Sequence, residues 1–284
     1  MALIYKMRAI AQSDSSYVFW TDSEPDLDGS NAPEAVVQDS IVVDSVGGTG
    51  AAIPSARAPL TDPTLEIAML LNENSGTSFA NSGAAGGSDW TLTNGASPAT
   101  VGATGIIDKS VEFSTSETSI IEAPLDVSLT GWDYSTLMAW VYPTGTIGST
   151  EIGAILWKSE GSYPNATIGI GVTNGTGPYF RVNNTAYDDA NYDIPLNTWT
   201  HIALSYDGSN ANCYLNGMLV LSPAESGALT WTNATTNAWS IGAPEGRASD
   251  RAFKGRIEDA RVYSEAKSTA FIQDVVARAF IDRG

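Results

Sequence analysis

Few side chains in this sequence are suited to bond-breaking chemistry, and their spacing limits what they can do. There is one histidine, His201, and one cysteine, Cys213. A single residue of each type cannot build a histidine-rich or cysteine-rich zinc site, and a lone cysteine cannot form an intrachain disulfide. A serine–histidine–acid arrangement would have to recruit His201, yet no G-x-S-x-G turn accompanies it. Paired carboxylates are the other route. Alternate residues of a strand share a face, so an E-x-D-x-x-E-like run would set its acids in one cleft for glycan hydrolysis. No such run occurs. Glu258 and Asp259 are adjacent, which predicts opposite facings. Asp188, Asp189 and Asp193 fall in a polar, loop-like stretch from Asn183 to Asp193. These residues argue against an enzyme. His201 reads as a strand residue facing away from Ile202, and Cys213 as a small buried hydrophobe.

The bulk composition narrows the partners. The 284 residues carry 32 acids against 14 lysines and arginines, a net charge of −18. Phosphate binding needs a basic face, so nucleic acid is excluded as a direct ligand. No run of 18 or more apolar residues predicts a membrane-spanning helix, and the segment MALIYKMRAIAQSD lacks the apolar stretch of a signal peptide. Charge is uneven along the chain. Residues 9–56 hold eight acids and no lysine or arginine, whereas residues 247–284 hold eight of the 14 basic residues.

The elements that must position any site are strands. Alternation is visible in Ser110-Val111-Glu112-Phe113, in Thr167-Ile168-Gly169-Ile170-Gly171-Val172 and in Tyr179-Phe180-Arg181-Val182. Asn94-Gly95, Asn174-Gly175, Asp207-Gly208 and Asn216-Gly217 supply turns between such runs. Many short strands with such turns predict a sandwich or jelly roll. Ile272, Val275, Val276, Ala279 and Phe280 recur at helical spacing, which predicts an amphipathic helix over about 266–281.

One segment carries a family resemblance. Residues 199–220 contain Trp199-Thr200-His201-Ile202-Ala203, then Tyr206-Asp207-Gly208, then Tyr214-Leu215-Asn216-Gly217. This resembles the laminin-G-like signature of a W-x-H-[IV]-A strand followed by Y-D-G and Y-x-N-G. Upstream, Leu137–Pro143 resembles the family's central strand, Ile155–Lys158 the next one, and Leu65–Met69 with the Asn81-Ser82-Gly83 loop the opening strand. Downstream, Trp239–Gly242 and Phe253–Tyr263 resemble the closing strands. The resemblance implies an all-β, laminin-G-like (concanavalin A-like) jelly-roll sandwich of two antiparallel sheets over residues 61–265. It would be preceded by an extended acidic arm over 1–60 and followed by a short C-terminal helix within 266–284. Trp140, Ile202, Leu204 and Leu215 are expected in or near the core. The resemblance also implies that calcium, though not required, has a place at the edge of the sandwich. Asp259 is the best positional match for its ligand, with Asn81 next.

The resemblance leaves the role open between two classes. One is a non-catalytic virion structural protein, of capsid-decoration or fibre type, displaying the sandwich on the particle surface. An acidic arm of this composition buries too little apolar surface to order by itself. It would dock through Val18, Phe19, Trp20, Ile41, Val42 and Val43 onto capsid or tail subunits, or onto neighbouring copies in a trimer. The other class is an extracellular carbohydrate-binding module or adhesin, in which aromatic rings stack on sugar faces. Candidates for that contact are Trp132, Tyr134, Tyr163, Tyr187 and Tyr192.

Overall fold

A computed structural model describes the strands Arg8–Ala11 and Tyr17–Trp20 and the span 60–280, apart from residues 84–88, 94–98, 114–118, 126–128, 146–151, 161–164, 174–176, 190, 232–236 and 245–250. The first strands are β1 (Arg8–Ala11), β2 (Tyr17–Trp20), β3 (Leu65–Met69), β4 (Ser78–Phe79), β5 (Trp90–Thr93) and β6 (Thr100–Thr104). Next come β7 (Lys109–Phe113), β8 (Ile120–Glu122), β9 (Ser135–Pro143), β10 (Ile152–Ser159), β11 (Ala166–Thr173) and β12 (Pro178–Val182). The last are β13 (Thr185–Asp188), β14 (Thr200–Tyr206), β15 (Ala211–Leu215), β16 (Met218–Leu221), β17 (Trp239–Ile241) and β18 (Gly255–Tyr263), followed by helix α1 (Thr269–Arg278).

The chain divides into two units, Met1–Pro54 and Ser55–Gly284. In the first, β1 and β2 pair antiparallel with Arg8 opposite Trp20 and Ala11 opposite Tyr17. The stretch holding Val18, Phe19 and Trp20 is therefore a strand paired with Arg8–Ala11. Ile41, Val42 and Val43 lie outside the described residues.

The second unit is the expected all-β sandwich. One sheet runs in the order β13-β12-β11-β10-β17-β8-β5-β4, and the other in the order β16-β15-β14-β9-β18-β7-β6 with β3 also paired to β18. Among the described residues every strand-to-strand pairing is antiparallel. Between the sheets, Ile168 and Ile170 of β11 meet Ile202 and Leu204 of β14 in one core with Leu215, Phe180 and Trp239. The alternation read in the sequence is thus the alternation of core and outer face. Cys213 sits in the same core, and burial pushes its thiol well above the ordinary range.

Trp140 is buried, as expected, and its burial is on the outer face of β9, against Ile106, Val276 and Ala279. The cause is α1, which lies on that face. Its Ile272 and Val275 pack on Leu65, Met138, Ala203, Tyr214 and Tyr263. Burying each such aliphatic side chain contributes about 1.5–3 kcal/mol. Ser268 caps the helix by accepting from Phe271 N at 3.3 Å. Both faces of β9 are therefore buried.

Candidate functional site

The outer face of the β13–β4 sheet has a different lining. On β11, Ile168, Ile170 and Val172 enter the core, which leaves Gly169 and Gly171 outward. Gly169 is paired with Trp157 of β10 on one side and Arg181 of β12 on the other, and Trp157 is paired in turn with Ser240 of β17. One cross-strand row therefore reads Arg181, Gly169, Trp157, Ser240. The indole lies on the glycine: a Cβ there would come within 2.3 Å of Trp157 Cε3. Only glycine leaves the ring this seat. Trp157 also stacks with Tyr179, with centroids 6.2 Å apart and planes inclined by 24°.

Three polar atoms of this row lack partners. Arg181 donates Nη1–H to Tyr179 Oη at 2.9 Å and Nη2–H to the Asn184 carbonyl at 2.8 Å. Arg181 Nε, Trp157 Nε1 and Ser240 Oγ have none. The three side chains are 7%, 0% and 0% exposed. A buried polar group left unmade costs about 1–3 kcal/mol, and native proteins hold few. Three in one row, beside a stacked aromatic pair on a glycine floor, mark this face as the candidate site.

The opposite sheet carries a second polar cluster, beneath α1. Asp259 and Arg261 form a two-pronged ion pair at 2.9 and 3.0 Å, and both are essentially buried. Glu258 accepts from the backbone N–H groups of Ile106, Ile107 and Asp108 at 2.6, 3.1 and 2.8 Å, which ties the β6–β7 turn to β18. His201 packs edge-on to Trp140 at 5.1 Å, and burial lowers its pKa to about 3. The charged groups here are matched with partners and serve the fold.

The sequence candidates fall in several places. Asp259 was expected to face away from Glu258. A bulge between Glu258 and Arg261, with Asp259 at φ 52°, instead turns its carboxylate to Arg261 on the outer face. Asn81 accepts from Ala68 N at 2.8 Å and Gly83 N at 3.0 Å and donates to the Glu66 carbonyl, which pins β3. No group of three or more His, Cys, Asp or Glu side chains arranged to hold a metal occurs among the described residues.

Two of the aromatic candidates meet the segment 222–231. Trp132 is half-buried, edge-on to Trp231 at 5.5 Å, and its carbonyl accepts from Trp231 Nε1 at 2.7 Å. Tyr187 is half-buried and donates to Glu225; burial and that carboxylate push its phenol well up. Tyr134 is 44% exposed, with its ring against Gly208. Tyr192 is half-buried against the core near Gly177, apart from these. Tyr163 lies outside the described residues. Trp157, Tyr179, Arg181 and Ser240 escaped the sequence reading. The signal was present in Gly169 and Gly171, which leave one face of an apolar strand bare.

Two antiparallel sheets face to face, one backed by a helix and the other bearing an aromatic and cationic row, define a lectin-like β-sandwich. The chain belongs to the concanavalin A-like lectin/glucanases superfamily, whose laminin G-type profile matches residues 115–273. Among solved structures, it is similar to domain 4 of AbnA, a GH43 extracellular arabinanase from Geobacillus stearothermophilus in complex with arabinotriose. That match has 21% identity and a TM-score of 0.57, and covers 75% of this chain and 98% of that one. It is also similar to Trypanosoma rangeli sialidase, at 14% identity and a TM-score of 0.59. There 84% of this chain matches only 36% of the sialidase. A third likeness is to the binding domain of botulinum neurotoxin DC in complex with rat synaptotagmin II. It has 11% identity and a TM-score of 0.52, covering 76% of this chain and 52% of that one. No curated protein sequence matches this chain. At these identities the likenesses establish the fold.

Proposed function

We propose that this chain is a non-catalytic carbohydrate-binding protein whose site is the Arg181–Gly169–Trp157–Ser240 row. The observation that carries the reading is the pairing of stacked Trp157 and Tyr179 with three donors that have no protein acceptor. A likeness to an arabinanase domain solved with arabinotriose supports it. Among the described residues no pair of carboxylates is placed across the row to act as acid and base. Calcium has no part in the proposal. The full chain on a glycan array should select a defined set of glycans. Gly169→Val, which forces the indole from its seat, and the milder Trp157→Phe should both weaken that selection while cooperative melting persists. A blank array contradicts the proposal, and so does steady release of reducing sugar.

The N-terminal unit supports a second element. Residues 9–56, acidic throughout and without a basic residue, make display of the sandwich on a virion surface through capsid or tail subunits the reading of how it is carried. A chain lacking residues 1–56 should fold and keep its glycan selection but lose assembly onto particles. Incorporation of the truncated chain at full occupancy contradicts that element.

A further inference from the structure

We propose that the outer face of the other sheet carries a second, open site, the row Trp199, Tyr142, Arg256 and Glu112, which takes an uncharged sugar chain. It goes beyond the Trp157 reading and does not depend on it. Strand register sets the row. Tyr142 of β9 is opposite Arg256 of β18, Arg256 is opposite Glu112 of β7, and Glu112 is opposite Thr100 of β6. Val141, Ile257 and Val111, next to these residues in their strands, enter the core, so the row faces outward. Trp199, just before β14, extends it at the other end. Its ring centroid is 5.5 Å from that of Tyr142, with planes inclined by 52°. The indole is seated against the cluster of Ile106, Trp140, Val276 and Ala279. From Trp199 to Thr100 the row makes four interstrand steps, about 19 Å at about 4.8 Å each.

This row meets solvent. Trp199 and Tyr142 are half-buried, Thr100 is exposed, and the Arg256 and Glu112 side chains are 29% and 34% exposed. Arg256 donates Nε–H to Glu112 Oε2 at 2.9 Å and Nη1–H to the Thr104 carbonyl at 3.4 Å, and its guanidinium lies over the Tyr142 ring, 5.2 Å from the centroid. Among the described residues Trp199 Nε1, Tyr142 Oη, Arg256 Nη2 and Glu112 Oε1 have no hydrogen-bond partner, and none of them is among the buried polar atoms. Aromatic rings with polar tips thus lead into a donor beside an acceptor. The guanidinium and carboxylate neutralise each other. An anion would meet Glu112, and a cation would meet Arg256. A sugar hydroxyl both donates and accepts, so adjacent hydroxyls bond both groups without parting the pair. β9 and β18 have neighbours on both sides, so their backbone groups are already paired. An extended peptide, which docks by main-chain bonds at a sheet edge, lacks that anchor here.

The experiment follows the Trp199 indole N–H in nitrogen-15 spectra of the full chain, with Trp199→Phe assigning the signal. The probes are cellotetraose, xylotetraose and mannotetraose as neutral chains, tetragalacturonate as an anionic chain, and decaproline as a peptide. At least one neutral chain should move the signal in a saturable way, and tetragalacturonate should bind about tenfold or more weakly than that chain. Arg256→Met should weaken the neutral chain about tenfold or more and leave the fold intact, because an exposed ion pair contributes little to stability. The comparison among probes uses the unaltered protein, so it decides the matter even if Arg256→Met fails to fold. Movement of the Trp157 signal with Trp199 still overturns this proposal and leaves the earlier reading standing. Tighter binding of tetragalacturonate, a Trp199 response to decaproline alone, or a response unchanged by Arg256→Met also overturns it. If no probe moves Trp199, this site fails; if the glycan array is blank as well, both readings fail.

Discussion

The two outer faces of the sandwich treat buried charge in opposite ways. Beneath α1, Asp259 meets Arg261 with two hydrogen bonds and Glu258 is held by three backbone N–H groups. On the far side, Arg181 is nearly as buried and has no carboxylate. Unpartnered neutral atoms occur on both faces, since His201 Nδ1 and Trp140 Nε1 also lack acceptors. Missing hydrogen bonds alone therefore do not separate a site from a packing layer. The unmatched guanidinium does. A face that serves only folding settles its charges internally, whereas a face kept for a ligand leaves one to be settled on binding.

The largest effect should come from breaking the matched pair. Asp259→Ala strands Arg261 in the interior and should cost about 3–5 kcal/mol in denaturant unfolding. Arg181→Met should behave in the opposite sense. Replacing an unmatched buried charge with an apolar side chain of similar length should change stability by less than about 1 kcal/mol or raise it, while removing ligand binding. If Arg181→Met destabilises as severely as Asp259→Ala, the two faces are alike and the contrast is lost.

A further effect appears only on acidification. In the folded chain burial keeps His201 neutral down to about 3, against an ordinary 6.5. Below pH 6.5 the unfolded chain takes up a proton that the folded chain refuses. Stability is therefore lost as pH falls from about 6.5 toward 3, with a slope of up to about 1.4 kcal/mol per pH unit. Above 6.5 the term vanishes. His201→Gln should flatten this part of the acid limb of a stability–pH curve; an unchanged limb would place the acid sensitivity elsewhere.

Most of the fold was legible in the sequence. The alternation of Ile168 and Ile170 with Gly169 and Gly171, and of Ile202 and Leu204 with their neighbours, gave the inner faces. The spacing of Ile272, Val275 and Val276 gave the helix, which the structure ends a few residues short at each side. Trp140 was expected in or near the core and is buried, but its facing was not legible, because a run buried on both sides has no alternation to read. Its unbroken apolar stretch, Leu137 to Val141, was the sign of a second covering layer. Asp259 was misassigned because one extra residue in a strand reverses every facing beyond it, and sequence does not announce a bulge at a non-glycine position.

The site was less legible. Aromatic residues in loop-like segments were the natural candidates, because loops so often carry function. Here Trp132 and Tyr187 instead pack against the core. The row lies on four strands separated in sequence, from Trp157 to Ser240, and only cross-strand register brings its members together. Nothing local to Arg181 marks it as unmatched; that property belongs to its neighbours.

The central claim is that ligand meets the Trp157 row and not the Trp132–Trp231 pair. Each of the eight tryptophans gives one indole N–H signal in a nitrogen-15 correlation spectrum, and Trp157→Phe assigns the relevant one. On titration with a glycan selected by the array, the Trp157 indole signal should move in a saturable way, while those of Trp132 and Trp231 stay in place. Saturable movement confined to Trp132 and Trp231, with Trp157 unmoved, would contradict the account.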